Sequence, residues 1–156
     1  MDTNMFMQQA IDLALEKMNA YEGGPFGALI VKDGMVIGRG WNRVTSTNDP
    51  TAHAEVSAIR DACKNLQNFS LEGCELFVNC EPCPMCLAAA YWAGIKTIYY
   101  AATRKDAAAI GFADDHIYDE FSRPLNQRAI PMVQMMWDKN RPVFTAWDNL
   151  AEKINY

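Results

Sequence analysis

The sequence predicts an α/β layered domain whose sheet is partly parallel. Three observations lead there. Two apolar runs, Phe26 to Val31 and Met35 to Gly40, meet at Lys32-Asp33-Gly34, the signature of an antiparallel hairpin. Further along, helical periodicity and short apolar runs alternate through HAEVSAIRDACKNL, CELFVN, CPMCLAAAYWAG and KTIYYAA, which implies crossovers between parallel strands. No linker, repeat or low-complexity tract divides the 156 residues, half of them hydrophobic, so a single domain over 1–156 is expected, with a core that needs no disulfides.

The elements come in order. Phe6, Ala10, Leu13, Ala14 and Met18 recur at helical spacing and define an amphipathic helix covering the core. The hairpin comes next. Asn48, Asp49, Pro50 and Thr51 then supply turn and cap chemistry before a helix on which Val56, Ile59, Ala62 and Cys63 share a face. Gly73 precedes the strand CELFVN. Pro82, with no N–H to leave unpaired, suits a first helical position, so CPMCLAAAYWAG reads as a helix stopped near Gly94. KTIYYAA reads as a buried strand. In TRKDAAAIGFADDHIYDEFSRP a short helix and then a loop are expected, followed by a strand over AIPMVQMMW and a terminal helix over RPVFTAWDNLAEKINY.

Charge narrows the partners. With 19 acidic and 14 basic residues the chain carries a net charge of −5, which repels a phosphate backbone, and no run of Lys or Arg offsets this. Nucleic acid is therefore not expected as a partner. No apolar run approaches the roughly 18 residues that span a bilayer, and the N-terminal segment carries Asp2, Asp12 and Glu16 with no basic head. A cytoplasmic protein without a membrane partner is expected. Five cysteines, an odd number, argue against a disulfide framework in a reducing compartment and for metal ligation or catalysis where they cluster.

Three cysteines cluster in NCEPCPMC, residues 79 to 86. Cys83 and Cys86 lie at the start of a predicted helix, where both thiolates can point to one side and the helix N-terminus favours their charge. A redox pair would need nothing more. Zinc needs a third ligand and, when catalytic, keeps an open position for water. His53, one of two histidines, also opens a predicted helix, so two helices aimed at one point would give a His-Cys-Cys site. Glu55 is then free for general acid–base work beside a zinc-bound water. Together HAE at 53 to 55 and PCPMC at 82 to 86 match the H-x-E and P-C-x-x-C halves of the zinc deaminase signature. One catalytic zinc per chain is the expectation, against a structural zinc or a redox pair. Cys80, Cys63 and Cys74 read as packed thiols.

With these residues, and with GGPFGALIVKDG, NDPTAHAEVSAIR, CEPCPMCLAAAYWA and GFADDHIYDE beside them, the chain resembles the cytidine deaminase-like superfamily, most closely its bacterial guanine deaminase branch. The resemblance implies a three-layer α/β/α sandwich with a five-stranded mixed sheet. It implies hydrolysis of guanine to xanthine and ammonia, with zinc-bound hydroxide attacking C2 and Glu55 passing a proton to the ring nitrogen and then to the departing amine. Asn42 would read the purine O6 and N7 edge, Phe26 would stack on the ring, Trp92 would wall the pocket, and Ala54 would add a contact. Asp114 would bind the substrate amino group and relay protons. The resemblance further implies a homodimer in which the C-terminal segment, from about residue 130 to Tyr156, is swapped, so that Tyr156 reaches the partner's site.

Without the resemblance these residues read more plainly. Asn42 is a turn residue after a strand, the aromatics are core, ADDHIYDE is a solvated acidic loop and Tyr156 a frayed terminus. Rival functions are also defined. A tRNA adenosine deaminase shares both signature halves but calls for basic residues near the site. A cytosine or cytidine deaminase would differ in pocket size, and a zinc-stabilised binding module would make Glu55 incidental.

Overall fold

The computed structural model describes residues 2–156. Asp2 accepts hydrogen bonds from the Asn4 and Met5 amides at 3.1 and 3.3 Å, which satisfies otherwise unpaired donors and starts α1, Thr3–Asn19. Its apolar stripe lays Phe6 and Ala10 on Leu29, Val31 and Phe77. Those three residues belong to a sheet. β1 (Gly27–Lys32) and β2 (Met35–Trp41) form an antiparallel hairpin whose turn residues Asp33 and Gly34 both have positive φ, 49° and 77°, as a tight hairpin turn requires.

β1 also pairs antiparallel with β3 (Glu75–Cys80), and β3 pairs parallel with β4 (Thr97–Ala102), giving the order β2-β1-β3-β4. Alternation along β1 sends Leu29 and Val31 to α1 and Ala28 and Ile30 to the opposite face. There they pack with Leu76, Val78 and residues Ala54, Ala58 and Ala62 of α3 (Ala54–Leu66), while Ala93 at the end of α4 (Pro84–Ala93) joins the same cluster. The result is helix, sheet and helix in three layers. Short helices α2 (Val44–Thr47) and α5 (Arg104–Ala109) complete this part, the latter opened by a capping box between Thr103 and Asp106.

The chain forms two compact units, one ending at Asp115 and the other spanning His116–Tyr156. The second contains most of α6 (Asp115–Ser122), a 3₁₀ turn (Leu125–Gln127) and α7 (Trp137–Asp148). Glu120 organises its turn, accepting from the Arg123 guanidinium at 2.8 Å and from the Ala129 amide at 2.7 Å.

Several expectations are corrected. The sheet has four strands among the described residues, not five: residues 129–136 are irregular and exposed, because Pro131 removes a ladder donor and the second unit holds no strand to pair with. The terminal helix runs 137–148 rather than 141–156, and the loop expected around 115–122 is α6. β4 is an edge strand, not a buried one, with Tyr100 half-exposed. Pro84, not Pro82, occupies the first helical position of α4, so Cys83 is the N-cap. On α3 the fully buried stripe is Ala54, Glu55, Ala58 and Ala62; of the expected face Ala62 is among them, Ile59 and Cys63 pack half-buried against the same core, and Val56 is not part of it. Smallness decides this: a Cβ on Gly40 of β2 would lie 2.2 Å from both the Ala54 carbonyl oxygen and the Ala58 nitrogen, so only the alanine side of α3 fits against the strand.

Candidate functional site

Two helix N-termini converge as the sequence requires. His53 is the N-cap of α3, Cys83 the N-cap of α4, and Cys86 lies buried in the first turn of α4. The His53 side chain makes no capping hydrogen bond to α3, which leaves it for another partner. His53 Nδ1 is 3.5 Å from the Sγ atoms of both Cys83 and Cys86, and all three donor atoms fall within 4.8 Å of one another. For tetrahedral zinc with ordinary Zn–N and Zn–S bonds, adjacent N and S ligands stand about 3.6 Å apart. The three residues therefore fit one zinc ion in donor type and spacing, with three protein ligands rather than the four of a closed structural site.

The thiol pair is already polarised. A hydrogen bond from Cys86 pulls the Cys83 thiol down to about 4 in pKa, while the same contact and burial push Cys86 upward. One negative charge held between two sulfurs and beside an imidazole is a cation site. Cys80 does not join it. Its Sγ points at the Thr103 carbonyl, 3.8 Å away, and burial pushes its thiol up to about 11, so it stays neutral and packed. Cys74 is buried in the core, and Cys63 donates to the Phe69 carbonyl at 3.7 Å.

Glu55 is 6% exposed, one helical position past Ala54. Burial raises its carboxyl pKa to about 6, with the charge on Cys83 adding to the shift and its own backbone amide and Cys86 opposing it. A carboxyl near neutrality can both accept and return a proton. Asp114 lies on the loop between α5 and α6, partly buried, and desolvation followed by repulsion from Cys83 raises its pKa. Its charge also acts on His53 and Cys80, so it lies within electrostatic reach of the His-Cys-Cys group.

Asn42 is buried, 7% exposed, just past β2. Its Oδ1 accepts from the Gly24 amide at 3.2 Å and the Val44 amide at 3.3 Å. The acceptor is committed to the protein, which leaves the amide donors for a ligand. Phe26 packs against the core edge-on to Phe112, centroids 4.9 Å apart. Ala54, fully buried as the first residue of α3, has an N–H with no carbonyl one turn earlier to bind it. Trp92 is 71% exposed, and the helical period turns it about 120° from Cys86, so α4 does not bring it to the ligand residues. Tyr156 ends the second unit, 82% exposed.

Two groups are not evident from the sequence. Gly23 comes so close to Asn42 that a Cβ there would lie 1.9 Å from the Asn42 carbonyl oxygen. Asn79 bridges the same loop, accepting from the Gly27 amide and donating to the Pro25 carbonyl, both at 2.9 Å. The available signal is a carboxamide directly after the apolar run Leu76-Phe77-Val78 and directly before the cysteine cluster.

Comparison with known proteins agrees with this geometry. Residues 1–102 match the family described as the cytidine and deoxycytidylate deaminase zinc-binding region. The chain is 51% identical over 156 residues to a guanine deaminase of Bacillus subtilis, covering 100% of each, and superposes on an X-ray structure of guanine deaminase from that organism with a TM-score of 0.97, covering 100% of this chain and 99% of that one. A tRNA-specific adenosine deaminase of Haemophilus influenzae is 40% identical over 116 residues, 74% of this chain and 66% of that protein. A structure solved in complex with 2,6-diaminopurine matches at a TM-score of 0.67 and 34% identity, over 70% of this chain and 61% of that one.

Proposed function

The chain belongs to the cytidine and deoxycytidylate deaminase zinc-binding family, and from that premise we propose that it is a zinc-dependent hydrolase converting guanine to xanthine and ammonia. The single observation that carries the chemistry is the group formed by His53, Cys83 and Cys86 with the buried Glu55 two residues beyond His53. Those three residues hold the zinc, one per chain. When bound, the ion supplies a Lewis acid that lowers the pKa of a coordinated water.

The protein groups do the rest. Glu55 takes the proton of the attacking water and returns it to a ring nitrogen of the base, then takes the proton of the hydroxyl newly attached to C2 and passes it to the departing amine as the C2 carbonyl forms, a cycle its near-neutral carboxyl suits. Asp114, within electrostatic reach of Cys83 and raised by burial, accepts from the exocyclic amine and relays protons. Asn42 directs two amide hydrogens at the substrate because its oxygen is held by Gly24 and Val44. Two donors match the O6 and N7 acceptors of guanine; the 6-amino group of adenine, itself a donor, would meet a donor. Phe26 stacks on the ring, and the first amide of α3, at Ala54, is a further donor.

The remaining assignments concern setting and assembly. The cytoplasm is supported by five cysteines that are all free, and among the described residues no helix is long and apolar enough to cross a membrane. A homodimer swapped through the C-terminal segment, with Tyr156 serving the partner's site, is supported by the exposed apolar side chains of the second unit. The test of function is ammonia release from guanine, adenine, cytosine and an anticodon stem-loop. Turnover of guanine is expected; turnover of the stem-loop in its place would transfer the chain to the tRNA branch.

A further inference from the structure

The loop that packs against Asn42 is itself held by a side chain with no role in the proposed chemistry. β1 and β3 pair from Ala28↔Val78 inward, and their ladder stops there. One position further out, where Gly27 and Asn79 would continue it, the Asn79 side chain replaces the missing strand contacts. Its Oδ1 accepts from the Gly27 amide and its Nδ2 donates to the Pro25 carbonyl, each at 2.9 Å. Only a carboxamide offers an acceptor and donors together at that reach.

The clamp fixes the neighbouring backbone on both sides. Pro25 adjoins Gly24, whose amide donates to Asn42 Oδ1, and the Phe26 carbonyl accepts from the Asn42 amide at 3.0 Å. Gly23 leaves no slack, since a Cβ there would overlap the Asn42 backbone. The loop position, together with the Val44 amide that also donates to Oδ1, thus sets which end of the Asn42 amide faces the ligand. We propose that Asn79 is a positioning residue for base recognition: by clamping Pro25 and Gly27 it keeps the Gly24 amide on Asn42 Oδ1, so that the Asn42 Nδ2 donors face the purine. The inference rests on Asn42 being the base-reading residue.

Asn79→Asp is the direct test, because it keeps size and the acceptor for Gly27 but sets an oxygen against the Pro25 carbonyl. Asn79→Ser, which shortens the reach without adding charge, is the second variant if the first fails to fold. Each is compared with Asn42→Ala and with the double variant by kcat and KM for guanine, at matched zinc content. The expected result is a KM at least about fivefold higher, the worth of one hydrogen bond, with kcat within about twofold. In the Asn42→Ala background the Asn79 change should add less than about twofold, because no orientation remains to protect. An unchanged KM in the Asn79 variants while Asn42→Ala raises it overturns the positioning role and leaves base reading intact. Losses that multiply in the double variant also overturn it. An unchanged KM in Asn42→Ala shows that the base-reading assignment itself has failed.

Discussion

Glu55 is a carboxylate packed where the fold otherwise buries alanine, and burial is the largest influence on its titration. Burying an ionisable group without an ion partner costs several kcal/mol, a cost tolerated where a proton must be moved. Glu55→Gln keeps volume and polarity but cannot carry that proton. Guanine turnover should fall by about 10²- to 10⁴-fold while zinc content, read by metal analysis, stays that of the parent, since Glu55 is outside the ligand group. Turnover within tenfold of the parent would remove it from the proton path. At this scale the sequence is most legible where ligand chemistry restricts the residue type: His53, Cys83 and Cys86 follow from donor atoms and helix starts. Asn42 is legible only as a residue. Which of its atoms faces the ligand depends on the Val44 and Gly24 amides, the latter from a loop whose path is not written in local periodicity.

Elements meet at the site through close backbone contact. α3 lies on β2 where Gly38 and Gly40 present no side chains, and a Cβ at Gly40 would stand 2.2 Å from helix backbone atoms that cannot rotate away. Gly40→Ala must therefore push the N-terminal turn of α3 off the strand, at a cost of about 1–3 kcal/mol for overpacking. The same displacement moves His53, so the variant should show a lower denaturant midpoint and faster zinc loss to a chelator. A midpoint equal to the parent's would show that the contact is not tight. This contact also explains why periodicity finds the core-facing side of α3 only in part: Ile59 and Cys63 pack half-buried against the core, whereas packing on a glycine strand gives the fully buried positions to the smaller Ala54, Ala58 and Ala62. The hairpin, the crossover helices and the parallel β3–β4 pair are legible because period and turn residues are local. Helix starts are legible to within a residue or two, as at Pro84, because capping at α4 permits neighbouring solutions.

Across the whole molecule, every buried apolar residue among the described residues lies in the first unit and none in the second. Ile130, Val133, Met135, Phe144 and Ile154 are between 64% and 79% exposed. Residues 129–137 read as a strand because Ile130, Met132 and Val133 have that composition, yet sequence pattern cannot say whether the partner of an apolar segment lies in the same chain. Such a concentration of apolar side chains is destabilising in water unless another surface covers it. Our reading is that a second copy does. Light scattering should give a mass twice the 17.5 kDa of one chain, and Val133→Asp combined with Phe144→Asp should lower that mass. Because the swapped segment is proposed to bring Tyr156 to the partner's site, deleting Asn155 and Tyr156 should leave mass and zinc content unchanged and reduce kcat/KM for guanine by at least about tenfold, the effect of losing one well-placed contact. A monomer at working concentration would overturn the assembly, whereas a dimer whose activity survives the deletion would keep the assembly and release Tyr156 from the active site.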